Sequence, residues 1–259
     1  MLLAVDVGNT ETVLGVFKGT ELIAHWRMGT VSERTADELA LLFGGFLEHE
    51  GLHFSREITG VVVSSVVPAA TDALREMVTR YFGFDPVILE PGVRTGMAIL
   101  IDNPREVGAD RIANAVAAHA RYGGPCIVVD FGTATNFDVV SGKGEYLGGV
   151  IAPGLQVAAA SLFRAAARLT RVELRPPRSV IGKSTVEAVQ SGLILGAAAE
   201  VDGIVERIEE ELGSAKVIAT GGLAPLVIPH CATAIEHDPW LTLEGLRLIF
   251  ERNAGPADD

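Results

Sequence analysis

Two segments of the 259-residue chain carry the same chemistry in the same order. Leu2-Leu3-Ala4-Val5 runs into Asp6-Val7-Gly8-Asn9-Thr10, and Cys126-Ile127-Val128-Val129 runs into Asp130-Phe131-Gly132-Thr133-Ala134-Thr135. A carboxylate at a strand end followed by a Gly-containing turn sets an acidic oxygen beside backbone N–H groups, so one site can meet Mg²⁺ and phosphates together. A lone Asp-x-Gly is an ordinary turn signal, because Gly relieves the backbone and Asp caps it. Two copies in matching contexts instead suggest two similar halves. If the halves are related by a pseudo-twofold, Asp6 and Asp130 face each other across a cleft, each beside a hydroxyl-bearing turn, which suits a triphosphate.

A third candidate is Asp102 to Arg111, where Gly108 allows a tight turn and Asp110-Arg111 stand at the start of a helix. Asp110 reads either as a helix cap or as a base. Three weaker signals have plain readings. His49-Glu50-Gly51-Leu52-His53 matches H-E-x-x-H, but Gly51 falls where the helix should stop, so the histidines do not share a helical face. Gly182-Lys183-Ser184 lacks the upstream Gly of a Walker loop. Cys126 sits in an apolar run and reads as a small buried hydrophobe.

The elements that must hold these residues follow from periodicity. In each half the Asp-x-Gly run is followed by two more strands, Thr12 to Phe17 and Glu21 to Arg27 in the first, Asn136 to Val140 and Glu145 to Ile151 in the second. Thr35 to His49 and Ala69 to Phe82 have helical spacing, with strands at Ile58 to Val67 and Pro86 to Leu89. Leu155 to Leu169 and Thr185 to Leu212 read as helices, and Lys216 to Thr220 as a strand entering Gly221-Gly222. A helix at Ile112 to Tyr122 joins the halves, Leu241 to Glu251 forms a last helix, and Gly255 to Asp259 is a frayed tail. The expected fold is α/β, two duplicated βββαβαβα domains at residues 1–115 and 116–259 with a cleft between them. The small-residue stretch Ala158 to Ala167 and the helix Val186 to Val205 suggest close helix packing, either at a subunit interface or in the core.

A hydrophobic fraction of 48% is enough for a buried core. The net charge of -12 argues against a nucleic-acid partner without opposing one bound nucleotide. Two cysteines form no disulfide framework, which suits a reducing cytoplasm. The N-terminal apolar stretch is too short, and too soon interrupted by Asp6, for a signal peptide or membrane span.

Taken together, DVGNT at Asp6 to Thr10, NPREVGADR at Asn103 to Arg111, DFGTAT at Asp130 to Thr135, GGVIAPG at Gly148 to Gly154, GKSTVEAVQSG at Gly182 to Gly192, ATGGLA at Ala219 to Ala224 and LTLEGLRLIFERN at Leu241 to Asn253 resemble the type III pantothenate kinases. These belong to the sugar-kinase, Hsp70 and actin superfamily, with two ribonuclease-H-like domains per subunit in a homodimer. The resemblance implies ATP-dependent phosphorylation of pantothenate, the first step of coenzyme A biosynthesis. It implies that Asp6, Val7, Gly8, Asn9, Thr10, Glu11, Thr12 and Val13 form the first phosphate loop, with Asp6 toward Mg²⁺, and that Thr133 contributes to the second. Asp110 becomes the general base; Gly108, Ala109, Asp110, Arg111 and Thr185 contact pantothenate; Asp130 holds a monovalent cation, K⁺ or NH₄⁺. The chain departs from the family at Ile101, a substrate-contacting position usually occupied by Tyr, and at Asn136, more often Thr. The rival readings are a non-catalytic regulator on the same fold and a kinase of another small hydroxylated acid.

Overall fold

The computed structural model describes residues 1–53, 56–166, 169 and 171–254. The chain divides into two compact units: Met1–Met97, Asp102–Ala117 and the segment from Leu241 form one, Ala98–Ile101 and Ala118–Trp240 the other.

In the first unit, strands β1 (Leu2–Val7), β2 (Glu11–Lys18), β3 (Glu21–Gly29), β4 (Gly60–Ser65) and β5 (Val87–Ile88) form a sheet of order β3-β2-β1-β4-β5. The meander β1-β2-β3 is antiparallel, and β4 joins β1 in parallel. Side chains alternate across a strand, and here Leu3, Val5, Val7, Val61 and Val63 build a core with Leu39, Phe43 and Leu47 of α1 (Ala36–His49) and Leu74, Met77 and Val78 of α2 (Pro68–Phe82). Helix α1 starts at a capping box in which Thr35 and Glu38 satisfy each other's backbone N–H groups. It ends at His49, and Gly51 follows with φ +70°, so the H-E-x-x-H segment bends away before its second histidine.

The opposite face of this sheet carries α7 (Leu241–Ala254): a side chain at Gly60 would enter the Phe250 ring, and one at Gly15 would lie 2.7 Å from Leu243 Cδ1. The C-terminal helix thus belongs with the first unit, whereas the sequence reading put everything after residue 116 in the second domain. The reason is steric fit, because two glycines leave a floor on which large α7 side chains rest. Helix α3 (Ala109–Tyr122) begins three residues before its expected start at Ile112 and packs on α7 where Gly245 meets the Ala113 backbone. The Thr242 hydroxyl donates there to Oδ1 of the fully buried Asn114 at 2.7 Å.

The second unit repeats the plan with β6 (Cys126–Phe131), β7 (Ala134–Val140), β8 (Tyr146–Pro153), β9 (Lys216–Thr220) and β10 (Ile235–His237) in the order β10-β9-β6-β7-β8. Strands β1 and β6 share one burial pattern, buried throughout except at the fifth residue, Asp6 in one and Asp130 in the other. The repeat in the sequence is therefore a repeat in space. Ile127, Val129, Phe131 and Phe137 pack with Ala198, Val201 and Val205 of α5 (Thr185–Leu212). The duplication is looser here: among the described residues two α-helices, α4 (Leu155–Ala165) and α5, lie between β8 and β9, and the four-residue α6 (Ala224–Val227) with a short 3-10 turn at Ile228–His230 lies between β9 and β10. The end of the helix expected over Leu155 to Leu169, the end of the Ala158 to Ala167 stretch and the tail Gly255 to Asp259 lie outside the described residues. Cys126 is fully buried, and burial pushes its thiol up to about 11, in keeping with an inert core position.

Helix α5 is long and apolar enough by length and composition to cross a membrane, yet Ile194, Ala198, Val201 and Val205 are buried within the unit. It is also stapled to the chain before β10. The Asp202 carboxylate accepts from Ala232 N–H (2.8 Å), Thr233 N–H (2.9 Å) and the Thr233 hydroxyl (2.7 Å). Burial alone would raise this carboxyl, but the three donors outweigh it and lower it below its ordinary value. A depressed folded-state value favours folding above the unfolded pKa, and that contribution is lost as pH falls through the folded one. Asp202→Ala should lower stability by about 1–3 kcal/mol at neutral pH, with the difference from wild type shrinking toward pH 3, as thermal melts across pH would record.

Candidate active site

The first loop is the β1–β2 connection. Asp6 is partly exposed at the end of β1, and Asn9, Thr10 and Glu11 are exposed at the turn. The turn is closed by the Gly8 N–H donating to Glu11 O at 3.0 Å, and a Cβ at Gly8 would sit 3.1 Å from that carbonyl. Behind it, the buried Thr12 hydroxyl meets the Thr30 hydroxyl at 2.8 Å, and Thr30 N–H donates to Thr10 O at 3.0 Å, so β3's end braces the loop from below. Glu11 is engaged by Arg27 at 2.6 Å, which removes a negative charge from the loop mouth. The result is an exposed turn of small polar residues on a rigid base, suited to a phosphate.

Asp110 lies in the first turn of α3, and its Oδ1 accepts from the adjacent Arg111 N–H at 2.9 Å. Burial raises its carboxyl above the ordinary value, opposed by the Arg111 N–H and guanidinium. A side chain at Gly108 would run into the Asp110 carboxylate, so glycine there leaves room for the carboxylate in this position. The two sequence readings are thus not exclusive: the oxygen that bonds the helix N-terminus belongs to a desolvated acid, as a functional base would. Upstream, Asn103 holds the segment through Arg105 N–H (3.3 Å) and Glu106 (2.8 Å).

The second loop, between β6 and β7, is a tighter cradle. Gly132 N–H donates to Ala134 O at 3.0 Å, leaving Thr133 exposed at the tip. Gly154, the N-cap of α4, donates its N–H to Thr133 O at 3.1 Å, and a Cβ there would enter the carbonyls of Gly132 and Thr133. The first turn of α4, with its unpaired N–H groups, therefore opens directly on this loop. On the other side Gly221, at φ +92°, closes on Asp130: a Cβ would lie 2.6 Å from both Asp130 Oδ1 and Phe131 O. Gly221 thereby sets no side chain of its own against this carboxylate and carbonyl.

Of the remaining predicted positions, Ile101 ends the short strap whose Leu100 N–H donates to Tyr146 O at 2.8 Å, and its Cγ2 is 3.6 Å from where a Cβ of Gly148 would be. Thr185 is the exposed first residue of α5, after the cap in which Ser184 Oγ accepts from Glu187 N–H at 3.2 Å. Asp6, Val7 to Val13 and Gly108 to Arg111 stand in the first unit; Ile101, Asp130, Thr133 and Thr185 stand in the second. Sequence reasoning gave no role to Gly154, Gly221 or the strand residues beside the two aspartates. The Gly221-Gly222 pair after a strand was a usable signal for one of them.

The model of the type III pantothenate kinase family matches residues 2–207, most of the chain, with both Asp-containing loops and the start of α3 inside the match. The chain belongs to this family. Among its relatives, type III pantothenate kinase from Frankia alni is 60% identical over 256 residues, covering 98% of this chain and 100% of the relative. The Acidothermus cellulolyticus protein of that name is 58% identical over 255 residues, covering 98% and 99%. Solved structures place the fold more widely. Component A of the (R)-2-hydroxyglutaryl-CoA dehydratase from Acidaminococcus fermentans has a TM-score of 0.60 at 14% identity, covering 98% of this chain and 99% of that one. The ROK hexokinase from Thermus thermophilus has a TM-score of 0.52 at 16% identity, covering 98% and 99%. At such identities the likeness concerns the fold alone, and it agrees with the two-domain α/β fold expected from the sequence.

Proposed function

We propose that this chain transfers the γ-phosphate of ATP to the primary hydroxyl of pantothenate, in the cytoplasm and as a homodimer, with Asp110 as the base. The desolvated Asp110 carboxylate at the start of α3, within a family match over residues 2–207, is the observation that carries this reading. Asp110 accepts the hydroxyl proton as the oxygen attacks the γ-phosphorus in line; the bond to the β–γ bridging oxygen breaks and ADP leaves. Positioning and charge neutralisation matter more here than base strength. Gly108, Ala109 and Arg111 hold the acceptor around that carboxylate, and Ile101 supplies an apolar contact where a tyrosine hydroxyl is usual.

The loop Asp6 to Val13 takes ATP phosphates through its backbone, joined by Thr133. Among the described residues no three acidic, His or Cys side chains cluster, so a divalent cation would rest on Asp6 and phosphate oxygens, the usual manner for Mg²⁺. When bound, Mg²⁺ neutralises phosphate charge. The Asp130 carboxylate and Phe131 carbonyl, against which Gly221 sets no side chain of its own, are a hard oxygen pair suited to K⁺ or NH₄⁺. Thr185 contacts substrate, a role open to an exposed residue at a dimer interface. The neighbouring Val180 (74% exposed), Ile181 (72%) and Val186 (44%) support apolar coverage by a second subunit.

The test is ADP release by the purified protein with ATP, Mg²⁺ and pantothenate, with and without K⁺, and light scattering for the dimer. Turnover that requires pantothenate and rises with K⁺ is expected. Nucleotide binding without turnover in K⁺ or NH₄⁺ would replace this reading with a regulator or a kinase of another acid.

A further inference from the structure

Beside Asp6 stands a residue with no explanation in the fold. Ser64, on β4, is fully buried, and its hydroxyl has no hydrogen-bond partner among the described residues. Such an orphan disfavours folding, and an apolar residue there would simply continue the Val61-Val62-Val63 run. The next residue shows the contrast: Ser65 Oγ accepts from Val67 N–H and donates to Val67 O, both at 3.1 Å, turning the chain into α2. Ser65 has a local task and Ser64 has none.

The sheet fixes where Ser64 points. Val61 and Val63 belong to the core under α1 and α2, and Gly60 faces Phe250 of α7, so Ser64 faces the α7 side. On β1, Leu3, Val5 and Val7 belong to that same core, so Asp6 faces the α7 side too. Asp6 and Ser64 are register partners on adjacent parallel strands. The second sheet repeats the placement, with Thr220, 2% exposed, in register with Asp130.

We propose that Ser64 is a positioning residue of the first phosphate loop, its hydroxyl holding a water in the coordination shell of the divalent cation beside Asp6. The proposal rests on the reading of Asp6 as the divalent-cation carboxylate. Mg²⁺ and Mn²⁺ sites of this kind keep several waters, and a buried hydroxyl in register with the carboxylate fixes one of them without adding charge.

Mn²⁺ binding followed by electron paramagnetic resonance, with a non-hydrolysable ATP analogue present, tests this in wild type, Ser64→Ala, Ser64→Cys and Asp6→Asn. Thermal melts of the nucleotide-free proteins accompany it. Ser64→Ala should melt at or above wild type, since the orphan is gone, while its Mn²⁺ dissociation constant rises about five- to tenfold. Ser64→Cys fills the same volume with a weak donor and should bind like Ser64→Ala. Asp6→Asn should lose more than either. If both Ser64 variants bind Mn²⁺ like wild type while Asp6→Asn does not, the inference is wrong and the Asp6 reading stands. If Asp6→Asn binds like wild type, the reading beneath it fails. A lower melting point with unchanged Mn²⁺ binding would make Ser64 purely structural.

Discussion

Asp110→Asn should fold, bind ATP and turn over pantothenate about 10²- to 10⁴-fold more slowly than wild type, the range for removal of a general base. The substitution keeps an oxygen that can accept from Arg111 N–H, so the helix start is retained while the proton acceptor is lost. Stability should move the other way. Burial holds this carboxyl above its ordinary value, so the folded state binds the proton more tightly than the unfolded chain. Below the unfolded pKa the group is protonated in both states and makes no difference; as pH rises through the folded pKa, the buried charge opposes folding increasingly. Asn removes that opposition, so the variant should melt at or above wild type at pH 8 and converge with it toward pH 4. A variant both inactive and unstable would point instead to a structural cap. In wild type, kcat/KM should fall on the acid side as the base is protonated, and the residual activity of Asp110→Asn should lack that limb.

Gly221→Ala is the second large effect. Alanine at φ +92° is strained on its own, and its Cβ would lie 2.6 Å from the Asp130 carboxylate and the Phe131 carbonyl, which have nowhere to retreat at the end of a central strand. A loss of about 2–4 kcal/mol is expected. The K⁺ concentration for half-maximal activity should rise in what remains folded, because the displaced oxygens are those proposed to hold the cation. Gly142→Ala is the control: the same unit, ordinary φ, and no atom nearer than 3.7 Å to the added Cβ. Thermal melts and a K⁺ titration of the three proteins separate general damage from the effect on Asp130. Equal K⁺ dependence in Gly221→Ala and wild type would remove Asp130 from the cation site.

Much of this architecture was already determined by the sequence, for a local reason. An apolar run closed by Asp-x-Gly specifies a buried strand and a tight turn within about ten residues, and both copies form as expected. The bounds of α5 and β9 follow equally from helical periodicity and from the Gly-rich turns beside them. The motifs in order were enough to mark the family. What only the tertiary structure decided is where empty space lies. That α7 returns to the first sheet depends on Phe250 filling the space above Gly60, residues with no relation along the chain. Gly154 and Gly221 look like ordinary turn glycines until Thr133 and Asp130 are found against them. Ser64 reads as the polar end of a valine strand, and its buried, unpartnered hydroxyl becomes visible only when β4 lies beside β1. Periodicity and turn chemistry are properties of neighbours in sequence; a missing Cβ or an orphaned hydroxyl acquires meaning only from what packs against it.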